Sequence, residues 1–476
     1  MAFSKSGILS TSANIEPIAV RRQSAGQRRG RTARAAVSGL VALSLGGCST
    51  IGSWFSGSSG TEDVQTISAR YLGGVVADEP QAVGIGDQIL RQNGNAADAA
   101  AAVALMLSVT LPSRAGLMGG GVCLIRNTES ADIEAVDFLP RAAPGSTVEI
   151  PGTVRGIASL QARYGVLDWR QVVVGVERTA ISGVPVAAQL TADAAAAGVA
   201  LPGGTSHAEP VLAAVFSQLR LNGASDFYTG DVARQLVADG VPAQALASYA
   251  PTWRPAVRVA SGNDWLYFPS TTGGRVAGAG YGALLADQRA ASDPAARFNI
   301  ARAAAAAALA KVIPGASVPA DQPTASTGFV VADASGRVVS CALSMGTLFG
   351  TRQKLAAPAL YAAGPIAGDA SAQLGLVPAI AYNTNVNQVL GAYVGSGGSS
   401  APGDVAAVAF GALRKDDNAR AAVGALRRPD DTGPTAVPDR VAALNCPNGL
   451  VRNPQTCTIA RDPRGWGFAQ TVDLVK

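Results

Sequence analysis

"PTASTGFVVADASGRVVSCALSMGTLFG", running from Pro323 to Gly350, is the stretch on which the reading of this chain turns. Apolar "GFVVAD" and β-branched "RVVSCAL" flank "ASG", the pattern of two antiparallel strands joined by a tight turn. Two hydroxyl residues, Ser326 and Thr327, stand at the head of the first strand between Ala325 and Gly328. A loop can carry Ser and Thr for purely local reasons. Small hydroxyls flanked by small residues, at the mouth of an apolar hairpin, are also what an activated nucleophile requires. The remainder of the sequence separates the two.

The chain has 476 residues, 48% apolar and only 15% charged, which is the composition of a core-rich globular protein. Its net charge of +5 is unevenly spread. Residues 1–47 hold seven Lys and Arg against the single acid Glu16, so everything from Cys48 onward sums to about −1. That leaves no basic footprint for nucleic acid. After Arg34 comes "AAVSGLVALSLGG", 13 residues long, too short to cross a bilayer but suited to the core of a signal peptide. It ends in "LGGCS", Leu45 to Ser49, which resembles a bacterial lipobox in which Cys48 receives lipid and becomes the mature N-terminus. The expectation is a lipoprotein-type signal peptide over 1–47 and a Ser/Gly-rich tether over 48–66. The mature protein would then sit at the periplasmic face of a bacterial membrane, as an outer-membrane lipoprotein held by its lipid anchor. An ordinary signal peptide is the other reading.

Such a signal leads to an oxidising compartment. Cys446 and Cys457 lie in turn-rich "NCPNGLVRNPQTCT" and are expected to form a disulfide. Cys123 and Cys341 lie in apolar, strand-like runs and read as buried free thiols. The one histidine, His207 in "PGGTSHAEP", reads as an exposed loop residue. A His-dependent triad or a His-rich zinc site therefore has little to draw on, and no Cys-x-x-Cys motif replaces it. No metal and no cofactor are expected. "GLMGGGV" (Gly116–Val122) and "GSGGSS" (Gly395–Ser400) lack the Lys-Ser/Thr ending of a P-loop and the spacing of a dinucleotide fingerprint. Alanine-rich Ala96–Leu111 is apolar but short and carries Asp98, so it reads as a buried core helix. Low-charge helices interleaved with β-branched strands point to a layered α/β or α+β core.

Six blocks, in order, then resemble the γ-glutamyltransferase (γ-glutamyltranspeptidase) family of N-terminal-nucleophile (Ntn) hydrolases. They are "VVADEPQAVGIGDQILRQNGNAADAAAAVAL", "GLMGGGVCLIR", "VEIPGTVRGIASLQARYGVLDW", "DFYTGDVARQLV", "YFPSTTGGRVAG" and, near the end, "DPRGWGF". Together they span roughly residues 70 to 470. The resemblance implies an α+β fold of αββα four-layer type. In it a large-subunit-like segment, 67–325, and a small-subunit-like segment, 326–476, build one core. It also implies a precursor that cuts itself into a heterodimer and acts on a γ-glutamyl amide or peptide.

In the family a Thr-Thr-His run precedes the hairpin and the chain breaks before the first Thr. Alignment on Asp333 and Gly336 puts Ser326 at that position, Thr327 at the second Thr and Gly328 at the His. A slip of one residue makes Thr327 the nucleophile, and both stay open. The chemistry needs no histidine: the α-amine released by the cut has an ordinary pKa of about 8 and can be the base. The same comparison assigns Ser344 as a supporting hydroxyl and Gly397 with Gly398 as backbone donors of an oxyanion hole. It offers Arg141, in "DFLPR", as the arginine for the substrate carboxylate, two residues beyond its usual place. Several recognition groups are missing. Gly346 stands where the family has Asn, Leu374 and Gly375 where it has paired serines, and "TRQKLAAPALYAAGPIAG" has no acidic cluster. Two readings follow: an amidohydrolase of altered preference, or a catalytically inactive, lipid-anchored scaffold or binding protein that keeps the fold.

Overall fold

The computed structural model describes residues 65–66, 71–130, 132–201, 206–313, 324–356, 358–426 and 440–473. The expected signal peptide, Cys48 and nearly all of the tether lie outside them. All described residues fall in the compact unit Glu62–Lys476.

Two antiparallel sheets of seven strands form the centre. One runs Phe468–Asp473, Tyr71–Ala77, Ser326–Asp333, Val338–Ser344, Gly120–Arg126, Ile133–Asp137, Thr252–Pro255. The other runs Gln65–Thr66, Thr458–Ala460, Arg440–Asn445, Gln388–Ser396, Leu376–Asn383, Asp264–Phe268, Val257–Ser261. Strand alternation sends Val330 and Ala332 to one face and Phe329 and Val331 to the other. Val330 and Ala332 meet Ile380, Ala392 and Val394 of the second sheet, so the two sheets pack face to face. Phe329 and Val331 meet helices Pro80–Arg91 and Ala96–Thr110 on the outer side of the first sheet. Helices Thr272–Ala286, Pro294–Val312 and Ala401–Arg414 cover the outer side of the second. The result is a four-layer αββα sandwich of α+β class.

Both segments of the chain contribute to both sheets. Strand Ser326–Asp333 lies between Tyr71–Ala77 and Val338–Ser344, and C-terminal strand Phe468–Asp473 flanks Tyr71–Ala77. Helix Ala96–Thr110 is buried on every side, with Asn95 and Asp98 forming its capping box. Asp98 is buried without a charge partner because the amides of Asn95 and Val166 and the Gln161 side chain donate to it.

Cys446 and Cys457 are joined in a disulfide. So are Cys123 and Cys341, against the expectation of free thiols. The two sit directly opposite each other on neighbouring strands, 4.1 Å apart between Cα atoms. Strand register brings them together, and register is invisible until the strands are paired.

Candidate active site

The turn at 333–337 fixes the hairpin. Gly336 has φ of +85° and Asp333 Oδ1 accepts from the amides of Ser335 and Arg337. Asp333 Oδ2 reaches the amide of Ala96, tying the turn to the start of the buried helix. With the turn set, Ser326 faces Ser344 across the ladder and Thr327 faces Leu343. Every residue of both strands is buried.

The carbonyl that precedes Ser326 is held by two donors. Ser344 Oγ donates to the Ala325 oxygen at 2.9 Å and the Met345 amide does so at 3.0 Å. The Gly346 amide donates in turn to Ser344 Oγ at 2.9 Å, which aims the Ser344 hydroxyl proton at Ala325. Ser326 Oγ accepts from the Gly397 amide at 2.7 Å and shares a hydrogen bond with Thr324 Oγ1 at 2.9 Å. Gly397 has φ of +90°, a conformation that glycine adopts without strain, and its carbonyl accepts from the Thr324 amide at 2.8 Å. The carbonyl of Gly398 accepts from the Ala401 amide at the start of helix Ala401–Arg414.

Thr327 is separated from this group by its partner. Its hydroxyl donates to Asp78 Oδ2 at 2.9 Å, and the Gly328 amide and Ser396 Oγ donate to the same oxygen. Gly328 has a packing role, since a Cβ there would lie 2.6 Å from a methyl of Val394. Gly375 is the wall over the candidate nucleophile: a Cβ would lie 2.4 Å from Ser326 Oγ and 2.0 Å from Thr324 Oγ1.

Arg141 is not in this group. Its backbone pairs with Ile150, its guanidinium packs 5.0 Å from the Tyr249 ring centre, and Nη2 donates to Thr252 Oγ1. The side chain is exposed, because the 141–150 pairing turns it outward. The arginine that touches the site is Arg114, whose Nη1 donates to the Ser326 carbonyl at 3.2 Å. Its Nε and Nη2 form a bidentate pair with Asp193, which Ser113 and Gln189 also bond. Burial alone would raise the Asp193 pKa, but the Arg114 hydrogen bonds and charge, helped by Ser113 and Gln189, hold it below the ordinary 3.8. Arg440 continues the buried network by donating to Gln189. Burial, with the Arg114 charge nearby, pushes its guanidinium down to about 10, still protonated at neutral pH.

His207 departs from expectation as well. It is buried, pairs with Val184 in a two-residue ladder and bonds Glu209 Oε1 at 2.6 Å, with no bond to the hairpin. Among the described residues, no three His, Cys, Asp or Glu side chains are grouped to hold a metal. Asp78, Arg114 and Thr324 escaped the sequence reading of the site, and Gly375 entered it only as the place of a missing serine. Asp78 falls inside one quoted block, in "VVADEP", and Arg114 two residues before another, "GLMGGGVCLIR", but nothing in their spacing ties them to residue 326.

Comparison with known proteins agrees with this architecture. The γ-glutamyltranspeptidase family model matches residues 82–149 and 144–280, so Ser326, Ser344 and Gly397 lie beyond the matched part. Glutathione hydrolase 2 of Arabidopsis thaliana is 30% identical over 211 residues, 37% of this chain and 36% of that protein. The glutathione hydrolase proenzyme of Bacillus subtilis (strain 168) is 29% identical over 214 residues, 37% of this chain and 36% of that protein. The match thus spans little more than a third of these relatives' length. In fold, the chain is similar to a cephalosporin acylase from Bacillus halodurans, with a TM-score of 0.69 at 17% identity, over 87% of this chain and 98% of that one.

Proposed function

We propose that this chain is a member of the γ-glutamyltranspeptidase family, in the Ntn-hydrolase superfamily, and that it cuts itself between Ala325 and Ser326 to become an amidohydrolase or acyltransferase. The observation that carries the reading is the pair of donors on the Ala325 carbonyl, beside a serine hydroxyl already engaged by the Gly397 amide. Ser326 Oγ adds to the Ala325 carbonyl carbon, and its proton passes through Thr324 Oγ1 towards the departing nitrogen. Negative charge develops on the Ala325 oxygen, where Ser344 Oγ and the Met345 amide receive it. Such donors are worth about 2.7–4 kcal/mol each in enzymes that use them. The C–N bond breaks, the nitrogen becomes the α-amine of Ser326, and Ala325 is left as an ester on Oγ. Water hydrolyses the ester to a carboxylate and a free hydroxyl. The α-amine, with an ordinary pKa of about 8, then serves as general base when Ser326 attacks a substrate amide.

Thr327 is the weaker candidate because its hydroxyl is committed to Asp78. γ-Glutamyl amides are the substrate class suggested by relatives named glutathione hydrolases. The fragments would stay together as a heterodimer, since 67–325 and 326–476 share both sheets. The test is the intact mass of protein expressed from residue 49. After reduction of the Cys123–Cys341 disulfide, which joins the two segments, a fragment from Ser326 to Lys476 is expected, and one beginning at Thr327 would transfer the role.

An unbroken, folded chain would favour the second reading, a non-catalytic scaffold or binding protein. The complete burial of Ser326 and Thr327 in the uncut chain speaks for it. Anchoring through lipid on Cys48, at the periplasmic face of a bacterial membrane, is part of the same proposal and rests on the N-terminal sequence pattern. No helix among the described residues is long and apolar enough to cross a membrane. Retention of a Cys48→Ser variant in the membrane fraction would remove the anchor from the proposal.

A further inference from the structure

A narrow cleft with a volume of about 40 Å³, open to solvent, lies against the hairpin on the side of Met345. Its walls are Val109 and Leu117 from the end of the buried helix and the turn after it, Leu212 from helix Pro210–Asn222, and Leu360 with Tyr361. Its floor reaches Met345, the residue whose own amide holds the Ala325 carbonyl. The cleft is therefore one residue from the bond the proposed reaction breaks. Two of the lining side chains are charged, Glu209 and Lys354. Glu209 Oε1 lies 2.6 Å from His207 Nε2 and 3.8 Å from Lys354 Nζ, and Lys354 sits 4.9 Å from the Tyr361 ring centre. These charges thus have partners of their own, and most of the remaining lining is aliphatic and aromatic carbon.

Backbone strain gathers in the chain between two lining residues of this cleft, Met345 and Tyr361. Phe349, Arg352 and Ala359 all have positive φ, three of the six non-glycine residues to do so among those described. Gly346 and Gly350 have it too. Strain of this kind persists where surrounding structure holds it, and it gathers at ligand sites. Here the holding bonds are identifiable: Gly364 donates to the Met345 carbonyl, Thr351 to Ala362 and Leu355 to Leu360.

We propose that this cleft is the specificity pocket of the enzyme and takes an uncharged apolar group of the substrate amide. The inference rests on the amidohydrolase reading above. A zwitterionic headgroup entering here would give up its hydration without finding unpaired charge in return. An alkyl or aryl group gains at each buried methylene, roughly fourfold in kcat/KM. The group can belong to the acyl half of the amide or to its amine half. Both present the same chemistry to the walls, and the experiment separates them.

Two substrate series are measured on the self-cleaved protein. One holds the amine constant as p-nitroaniline and lengthens the acyl chain from acetyl through butyryl to hexanoyl. The other holds a γ-glutamyl acyl group and lengthens the amine from methylamine to hexylamine. One series should climb in kcat/KM by roughly fourfold per methylene until the cleft fills, identifying the half that binds there. Val211→Glu puts a carboxylate at the half-exposed mouth, in the first turn of helix Pro210–Asn222 where a negative charge is tolerated. It should flatten that climb at least fivefold for the longest member. Two flat series in a self-cleaved protein, or a climb that V211E leaves intact, would overturn the inference. A chain that never cleaves overturns the preceding reading instead, and the cleft is then tested by binding. Hexanoyl-p-nitroanilide should raise the melting temperature of the parent and not of V211E, and equal shifts would again count against the pocket.

Discussion

Ser344 Oγ stands 2.9 Å from the carbonyl oxygen of Ala325 while its own lone pair accepts from the Gly346 amide, so a serine nineteen residues downstream polarises the bond proposed to break. Ser344→Ala removes one of two donors and leaves the Met345 amide. Self-cleavage should slow by about 10²- to 10³-fold, the usual cost of a lost oxyanion donor. The fraction cut against time, followed by intact mass, checks this. An unchanged rate would show that the donor does not serve the reaction.

The space above Ser326 exists because residue 375 has no side chain. Gly375→Ala would place a methyl 2.4 Å from Ser326 Oγ and 2.0 Å from Thr324 Oγ1, displacing both hydroxyls. Self-cleavage should fall below detection while the protein stays folded, since overpacking of one methyl costs about 1–3 kcal/mol. Circular dichroism with intact mass separates the two effects. Cleavage at the parental rate would mean the hydroxyl reacts from another position.

Ser326 and Thr327 are adjacent but bonded to different groups, so their alanine variants should differ in kind. S326A should yield an uncut chain. T327A should still cut, with a fold weakened by about 1–3 kcal/mol because Asp78 loses a buried donor. Urea unfolding and fragment masses read the two outcomes. An uncut T327A beside a cut S326A would reverse the assignment.

Much of this was legible before the fold was known, and the reason is local. The hairpin pairs residues through a short turn, so the facing of Ser326 and Ser344 follows from the position of Gly336. The buried helix announces itself through an unbroken alanine run with its Asn95–Asp98 cap. Two of the parts that stayed hidden, Asp78 and Arg114, act across long separations in the chain. Asp78 meets Thr327 across 249 positions and Arg114 meets Ser326 across 212. No periodicity records such distances. Arg141 is a different case: its partner Ile150 is only nine positions away, and that pairing leaves its side chain exposed, bonded to Thr252 and outside the group around Ser326.

The buried Arg114–Asp193 pair sets an acid limit on the fold. With its pKa held below 3.8 in the folded state, the Asp193 carboxylate contributes stability above about pH 4, which is lost as pH falls through that lowered value. Asp193→Asn should cost about 3–5 kcal/mol at neutral pH, because it strands a buried guanidinium. The variant should also lose less of its remaining stability than the parent below pH 4. Denaturant unfolding at stepped pH gives both numbers. A variant curve that falls as steeply as the parental one would remove Asp193 from the account.

The Cys123–Cys341 disulfide lies across the bond proposed to break, with one sulfur on each side of residue 325. Cutting the backbone there would therefore create two new chain ends without creating two molecules. Dilution would have nothing to separate, and refolding of the cut form would remain a unimolecular event, independent of protein concentration. Only a reductant able to reach the centre of the first sheet would turn the fragments into partners that must find each other.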